Sequence, residues 1–364
     1  MTESKTIYTF AHEQMSAIVA ALLDLAQSTQ TFTKPTTKSW SDSSETELLL
    51  CGKGFDIDDI PTLTSFENAW LTRLAIPFSI ELAATGALYK QLRNFTDTLI
   101  GSAFSETKNF EEVTPEWIRA NPHFLPVLMH VMGVFSKQKF KKQFGSATDR
   151  GISRPASVKI VETINRIGRS RPDQVRVRER IKSTVEGIVR DLVGKVLLEQ
   201  FVAKSLKRHQ VPFKREDEYE SIQGVVYNFR ADFVIPEPNQ PLAFLEVRKS
   251  SSRHASLYAK DKMFSAINWK GQYERCLGVL IIDGPWTLVT LKILTRVFDY
   301  VIPIEQVDEV AKKIRAYLDG DEAILQWLIQ FRIMQNIPGT NPVPIKHVEL
   351  SKDEIDSLAT EMEE

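Results

Sequence analysis

Apolar residues recur every three or four positions over residues 11–27 and 66–99, the spacing of amphipathic helices. A Ser/Thr/Pro-rich stretch around residues 31–44 separates the two, and Trp70, Phe78, Tyr89 and Phe95 read as core anchors. Residues 1–135 are therefore expected to form a mostly helical N-terminal domain, suited to recognition or dimerisation. A stretch containing Gly, Ser and Pro at residues 145–155 leads into a second pattern. From Val177 a long helix is expected, with Ile181, Val185, Ile188, Leu192 and Val196 stepping by four, three, four and four. After Gln210 the periodicity changes. Residues 211–214, 225–235, 242–247 and 277–282 are runs rich in Val, Ile and Phe, as strands are. A helical pattern at residues 253–269 divides the third run from the fourth, and another, at residues 304–318, follows Val301, Ile302 and Pro303. From Val185 the order is helix, strand, strand, strand, helix, strand.

Three acids stand where acids are locally unwelcome. Asp232 is embedded in the run from Phe229 to Ile235, and Glu246 in the run from Leu242 to Val247. Glu199 continues the helical stripe, three residues after Val196 and four before Ala203. Each is expected on a buried face, where an unpaired charge costs desolvation. The segment from Pro236 to Pro241 is dense in turn residues, so its flanking strands should pair as an antiparallel hairpin. Asp232 and Glu246 lie equally far from Asn239, seven residues on either side, which sets them roughly opposite each other. On one face their Cβ atoms would be ~5 Å apart. Two carboxylates that close repel, and a divalent cation resolves the conflict. Strand alternation puts Arg248 on the Glu246 face and Lys249 on the other, unless a bulge reverses them.

Composition sets wider limits. The 364 residues are 43% hydrophobic and 26% charged, with 16 Gly and 17 Pro, which excludes disordered, collagenous and coiled-coil classes. The longest apolar stretch, residues 124–135, is too short to span a bilayer and carries Pro126 and His130, so no membrane partner is expected. The first residues lack a secretory pattern. Cys51 and Cys276 allow at most one disulfide and no structural zinc site, so a cytoplasmic location is expected. Six scattered histidines, and the absence of phosphate-loop and dinucleotide motifs, argue against zinc-protease, NTP-driven and dinucleotide chemistry. The net charge of −1 conceals segregation. Residues 137–190 carry 15 Lys/Arg against five acids, and residues 305–364 carry six against thirteen. Near-neutrality therefore does not exclude nucleic acid.

Asp232 in Arg-Ala-Asp-Phe-Val-Ile-Pro, Glu246 in Phe-Leu-Glu-Val-Arg-Lys, the preceding helix with Glu199, and the αβββαβ order resemble the PD-(D/E)xK nuclease superfamily. Within it they resemble the type II restriction endonucleases, over about 120 residues. The resemblance implies an α+β or α/β fold with a restriction-endonuclease-like core at residues 185–304. Ahead of the core stand the helical domain (1–135) and a basic helical segment (136–184), and an acidic helical region (305–364) follows it. It also implies a Mg²⁺-dependent endonuclease on double-stranded DNA, leaving 5′-phosphate and 3′-hydroxyl ends. Asp232 and Glu246 would hold the metal, Glu199 would assist through water or a second ion, and a lysine would position the attacking water. The family places that lysine two residues after the acid, where this chain has Arg248, which cannot deprotonate. Lys249 is the expected substitute, with Lys260 and Lys262 of the next helix as alternatives. DNA contacts are expected from Arg176, Arg178, Arg180 and Arg248, and from Ser250, Ser251 and Arg253 at a helix N-terminus. A homodimer and a cognate DNA methyltransferase follow from the restriction reading. Two other classes stay open: a DNA-binding protein with an inactive nuclease fold, and a metal-dependent repair or RNA nuclease.

Overall fold

The computed structural model describes residues 5–249, 255–273 and 275–321. The chain divides into two compact units, residues 1–201 and 202–364.

The first unit is helical, as its periodicity indicates. Its main helices are α1 (Ile7–Ser28), α2 (Ser43–Gly52), α3 (Ile80–Glu106), α4 (Leu125–Val131), α5 (Lys137–Phe144), α6 (Arg154–Ile167) and α7 (Gln174–Lys195). A two-residue ladder, β1 (Ala147–Thr148) with β2 (Gly151–Ile152), joins α5 to α6. Hydroxyl and carboxylate N-caps open several helices: Ser79 accepts the Leu82 N–H of α3, and Asp173 accepts the Arg176 N–H of α7. Three of the five residues expected on the α7 stripe, Ile181, Val185 and Leu192, are buried, whereas Ile188 and Val196 are half-buried and Val189 takes the place of Ile188. Val177, Ile181, Val185, Val189 and Leu192 are buried, and α7 packs against α3 within this unit. The helix between residues 66 and 99 is interrupted: Phe66–Thr72 is a short helix, and α3 restarts at Ile80 after Ser79.

The second unit is mixed α and β. Helix α8 (Leu197–Arg208) leads into a five-stranded sheet ordered β3 (Lys214–Arg215), β4 (Phe233–Ile235), β5 (Ala243–Lys249), β6 (Leu277–Asp283) and β7 (Tyr300–Pro303). β3, β4 and β5 pair antiparallel, whereas β5, β6 and β7 run parallel. Parallel pairs need crossovers. These are α9 (Ala255–Gln272) and α10 (Leu288–Leu294), and α11 (Val307–Leu318) follows the last strand. The first five residues of β5, Ala243–Val247, are buried in succession, as in a strand covered on both faces. The core beneath α9 centres on Trp269, stacked on Phe244 at 5.2 Å and met edge-on by Phe229 at 4.6 Å. No helix among the described residues is long and apolar enough to cross a membrane.

Of the run expected as strand at 211–214 only Lys214 is strand, and two further expectations about elements fail for physical reasons. Of the run 225–235 only Phe233–Ile235 is strand; Phe229 and Ala231 instead join the core around Trp269, together with Ile222 from just before the run. The β-type composition there marks neither a ladder nor continuous burial: Val226 and Tyr227 are exposed, and Phe229 forms one isolated bridge with Ile222. The stripe from α7 does not run on through Glu199, because the helix breaks at Val196 (φ −118°) and restarts one residue later. The restart re-phases the buried face onto Leu197, Phe201 and Val202, which leaves Glu199 exposed. The acidic helical region after residue 305 is α11 as far as Leu318, and residues 322–364 lie outside the described residues.

Candidate active site

The hairpin of β4 and β5 builds the centre of the site. Phe233 faces Leu245, Val234 faces Phe244 and Ile235 faces Ala243. Extending that register one step sets Asp232, just before β4, opposite Glu246. This is the pairing the turn arithmetic indicates. The Val247 N–H donates to Asp232 Oδ2 at 2.7 Å, which ties the carboxylate to the neighbouring strand. On the other side, the Tyr219 hydroxyl accepts the Ala231 N–H and donates to the Ala231 carbonyl, both at 2.8 Å. Tyr219 thus fixes the backbone immediately ahead of Asp232. Nothing in the sequence marks it, because its role depends on residues 219–231 doubling back.

Glu246 points from β5 to the α9 face, the face it shares with Phe244 two residues before it. Its side chain is 0% exposed, and that of Asp232 9%. Arg248, two residues on and on the same face, spans both acids: Nη1 lies 3.1 Å from Asp232 Oδ2, and Nη2 lies 3.1 Å from Glu246 Oε2. Nη1 also donates to the Val247 carbonyl at 2.8 Å. From α9, Lys262 Nζ reaches Glu246 Oε2 at 2.8 Å, with the Lys262 side chain 10% exposed. Two cations thus hold two carboxylates. Glu246 Oε1 remains buried and accepts no hydrogen bond among the described residues. Burial pushes the Glu246 carboxyl up to about 7, and the Asp232 charge adds to the rise against the opposing pull of Lys262 and Arg248.

The lysine beside the carboxylates is therefore Lys262 rather than Lys249. Lys249 ends β5 in an exposed position on the face opposite Arg248, and no bulge interrupts the β5–β6 ladder, which pairs Lys249 with Asp283. Lys260 is exposed, and the third acid proposed from the sequence, Glu199, is exposed on α8. Arg230 pairs with Glu216 across 3.7 Å. Lys262 comes into reach because helix spacing from the start of α9 turns its position towards the sheet, a fact the local motif around Glu246 does not contain.

Residues expected to meet DNA fare differently. Arg178 pairs with Asp97 at 3.0 Å, and Arg180 donates to the His130 carbonyl at 2.9 Å. Arg176 is exposed and has no ion pair among the described residues. Ser250, Ser251 and Arg253 lie outside the described residues.

Among the described residues no three His, Cys, Asp or Glu side chains come together. The donors available to a metal are the two carboxylates. Their chemistry suits Mg²⁺, a hard cation that commonly takes one or two carboxylates and fills its remaining positions with water and phosphate oxygens. Two further observations favour a cation here. The Arg248 guanidinium touches oxygens of Asp232, Glu246 and Val247, which marks a point where three oxygens face one positive charge. The unused Glu246 Oε1 is a buried acceptor with nothing to accept from. The residues present fit a divalent ion held by Asp232 and Glu246.

No protein-family model matches the chain, no curated protein matches it, and no solved structure does.

Proposed function

We propose that this chain is a Mg²⁺-dependent endonuclease acting on double-stranded DNA, of type II restriction character, with a restriction-endonuclease-like core in its second unit. One observation carries the proposal: Asp232, Arg248 and Lys262 converge from a hairpin and a crossover helix on Glu246, both cations meeting its Oε2 while its buried Oε1 accepts no hydrogen bond among the described residues. The order α8, β3, β4, β5, α9, β6 is the αβββαβ order that the resemblance implies.

Asp232 and Glu246 would hold the ion. When bound, Mg²⁺ supplies Lewis-acid stabilisation of the attacking and leaving oxygens of a phosphodiester. Lys262, fixed by Glu246 under the cover of α9, is placed to orient the attacking water and to offset charge on the phosphate. Arg248 is a permanent cation and cannot act as a base, but its fork geometry suits a phosphate oxygen. Val247 and Tyr219 hold Asp232 in place and take no proton. Hydrolysis would leave 5′-phosphate and 3′-hydroxyl ends. Two copies acting on a palindrome, and a methyltransferase protecting the same sequence, belong to this reading.

Plasmid DNA with Mg²⁺ tests it. Discrete fragments are expected from the wild-type protein, with loss on the order of a hundredfold or more in Asp232→Ala, Glu246→Ala and Lys262→Ala. Lys249→Ala should cut normally. Cleavage by both acid variants at the wild-type rate would remove the metal site. A dead Lys249→Ala beside an active Lys262→Ala would return the lysine role to β5. A second reading rests on Arg248, whose guanidinium already neutralises both carboxylates: a DNA-binding protein with a silent nuclease fold. Absence of cleavage with every divalent metal, alongside intact duplex binding, would select it. A smear or damage-dependent nicking would point instead to a repair nuclease.

A further inference from the structure

The most one-sided surface of the first unit is not the arginine run of α7 but helix α5 and the ladder after it. Lys137, Lys139, Lys141 and Lys142 are all exposed, and none forms an ion pair among the described residues. Only Phe140 and Phe144 of this helix are buried, with their rings 4.5 Å apart, so α5 is anchored by two aromatics and presents lysine outward. Arg150, at the turn between β1 and β2, and Arg154, at the start of α6, are exposed as well. Asp149 is the single acid between residues 137 and 154.

Lys141 and Lys142 sit in the last turn, where the helix dipole favours them, but the N-terminal half of this arrangement works against the helix that carries it. Lys137 and Lys139 occupy the first turn, where the backbone N–H groups already present positive potential and an acid would be favourable. Lys137 and Lys141 are four residues apart, and Lys139 and Lys142 three, so like charges repel across successive turns. No local carboxylate relieves them. By contrast, Arg178 is satisfied by Asp97 and Arg180 by a carbonyl. A helix that tolerates such repulsion, and is held only by two phenylalanines, gains from any closely spaced row of negative charge. A nucleic-acid backbone is such a row, and phosphate neutralisation with counterion release is the main source of sequence-independent affinity.

We propose that the lysine face of α5, continued by Arg150 and Arg154, is the surface through which this protein holds the phosphate backbone of duplex DNA. That the polyanion is DNA rests on the nuclease reading; the charge argument does not. The test uses the full-length protein with a mixed-sequence duplex, in EDTA, so that binding is measured without cleavage. The variant is Lys137→Gln, Lys139→Gln, Lys141→Gln and Lys142→Gln combined, leaving Phe140 and Phe144 intact. The slope of log affinity against log salt should fall by about 3 to 4, so that the weakening between 50 and 200 mM salt shrinks by about a hundredfold. Because the substitutions remove self-repulsion, the variant's melting temperature at low salt should equal or exceed that of the wild type, which separates lost binding from lost fold. An unchanged slope overturns the proposal. So does a slope that flattens only for Arg176→Gln with Arg178→Gln, and so does binding of anionic phosphatidylserine vesicles lost with the lysines while duplex binding persists. Plasmid cleavage is scored separately: a protein that binds through α5 and cuts nothing sinks the nuclease reading and leaves this surface standing.

Discussion

Under the proposed nuclease reading, Lys262 and Arg248 would divide a task that the reading otherwise gives to one lysine. Arg248 stands two residues after the acid, touches both carboxylates and cannot give up its proton; Lys262 arrives from a different element and, of those two carboxylates, meets Glu246. If the guanidinium holds the place of a metal ion, the two compete. Arg248→Ala should then bind Ca²⁺ several-fold more tightly than the wild type by calorimetry, and unchanged affinity would show that the ion does not share this locus. At the same scale, His130 in the first unit is a buried group with no part in the site. Its Nε2 lies 3.0 Å from Thr184 Oγ1, the Phe135 ring packs at 5.3 Å, and Arg180 binds its carbonyl. Burial, with the Arg180 charge adding to it, holds its imidazole down at about 4 instead of 6.5. The unfolded chain therefore takes up a proton between pH 6.5 and about 4 that the folded chain refuses. Stability should be fully present above this window and fall through it by about 2–3 kcal/mol as the pH drops. In thermal unfolding at pH 7 and pH 4.5, His130→Gln should lose less than the wild type; equal losses would place the acid sensitivity elsewhere.

At the scale of elements, α9 has two duties. Its first half brings Lys262 to Glu246, and its second half grips a turn. The Asn268 side chain, 2% exposed, accepts the Val226 N–H at 2.7 Å and donates to the Tyr227 carbonyl at 2.9 Å. Gly224 lies so close to it that a Cβ there would fall 1.9 Å from Nδ2. Asn268→Ala should cost about 2 kcal/mol, seen as faster amide exchange at Val226 and Tyr227; exchange unchanged from the wild type would show that the turn holds itself. This also explains what the sequence could and could not disclose. The β4–β5 hairpin was legible because its register follows from counting outward from a turn, and counting placed Asp232 opposite Glu246. Most of the run at 225–235 reads as strand without being one, because burial on a helix and burial in a sheet select the same residue types, as at Phe229. Lys262 is no more than an alternative to Lys249 in the sequence, since no local pattern tells where a crossover helix lies against a strand. Glu199 was misplaced by a one-residue break at Val196, which shifts the phase of everything after it.

Across the whole molecule, charge balance and charge placement tell different stories. The sum of −1 averages over an unpaired lysine helix and a carboxylate pair that its own cations have already neutralised. If two copies cut a palindrome together, a plasmid with one site should pass from supercoiled to linear without a persistent nicked form. Accumulating nicked circles would indicate a single acting copy. The borders of the sheet bear on how such copies could meet. One border, β3, is two residues long and consists of Lys214 and Arg215; the other, β7, ends in Pro303, which has no N–H to offer. A strand from another chain finds little to ladder onto at either margin. Association between copies is thereby directed to side-chain surfaces, and native protein stored at high concentration should make a poor seed for fibrils.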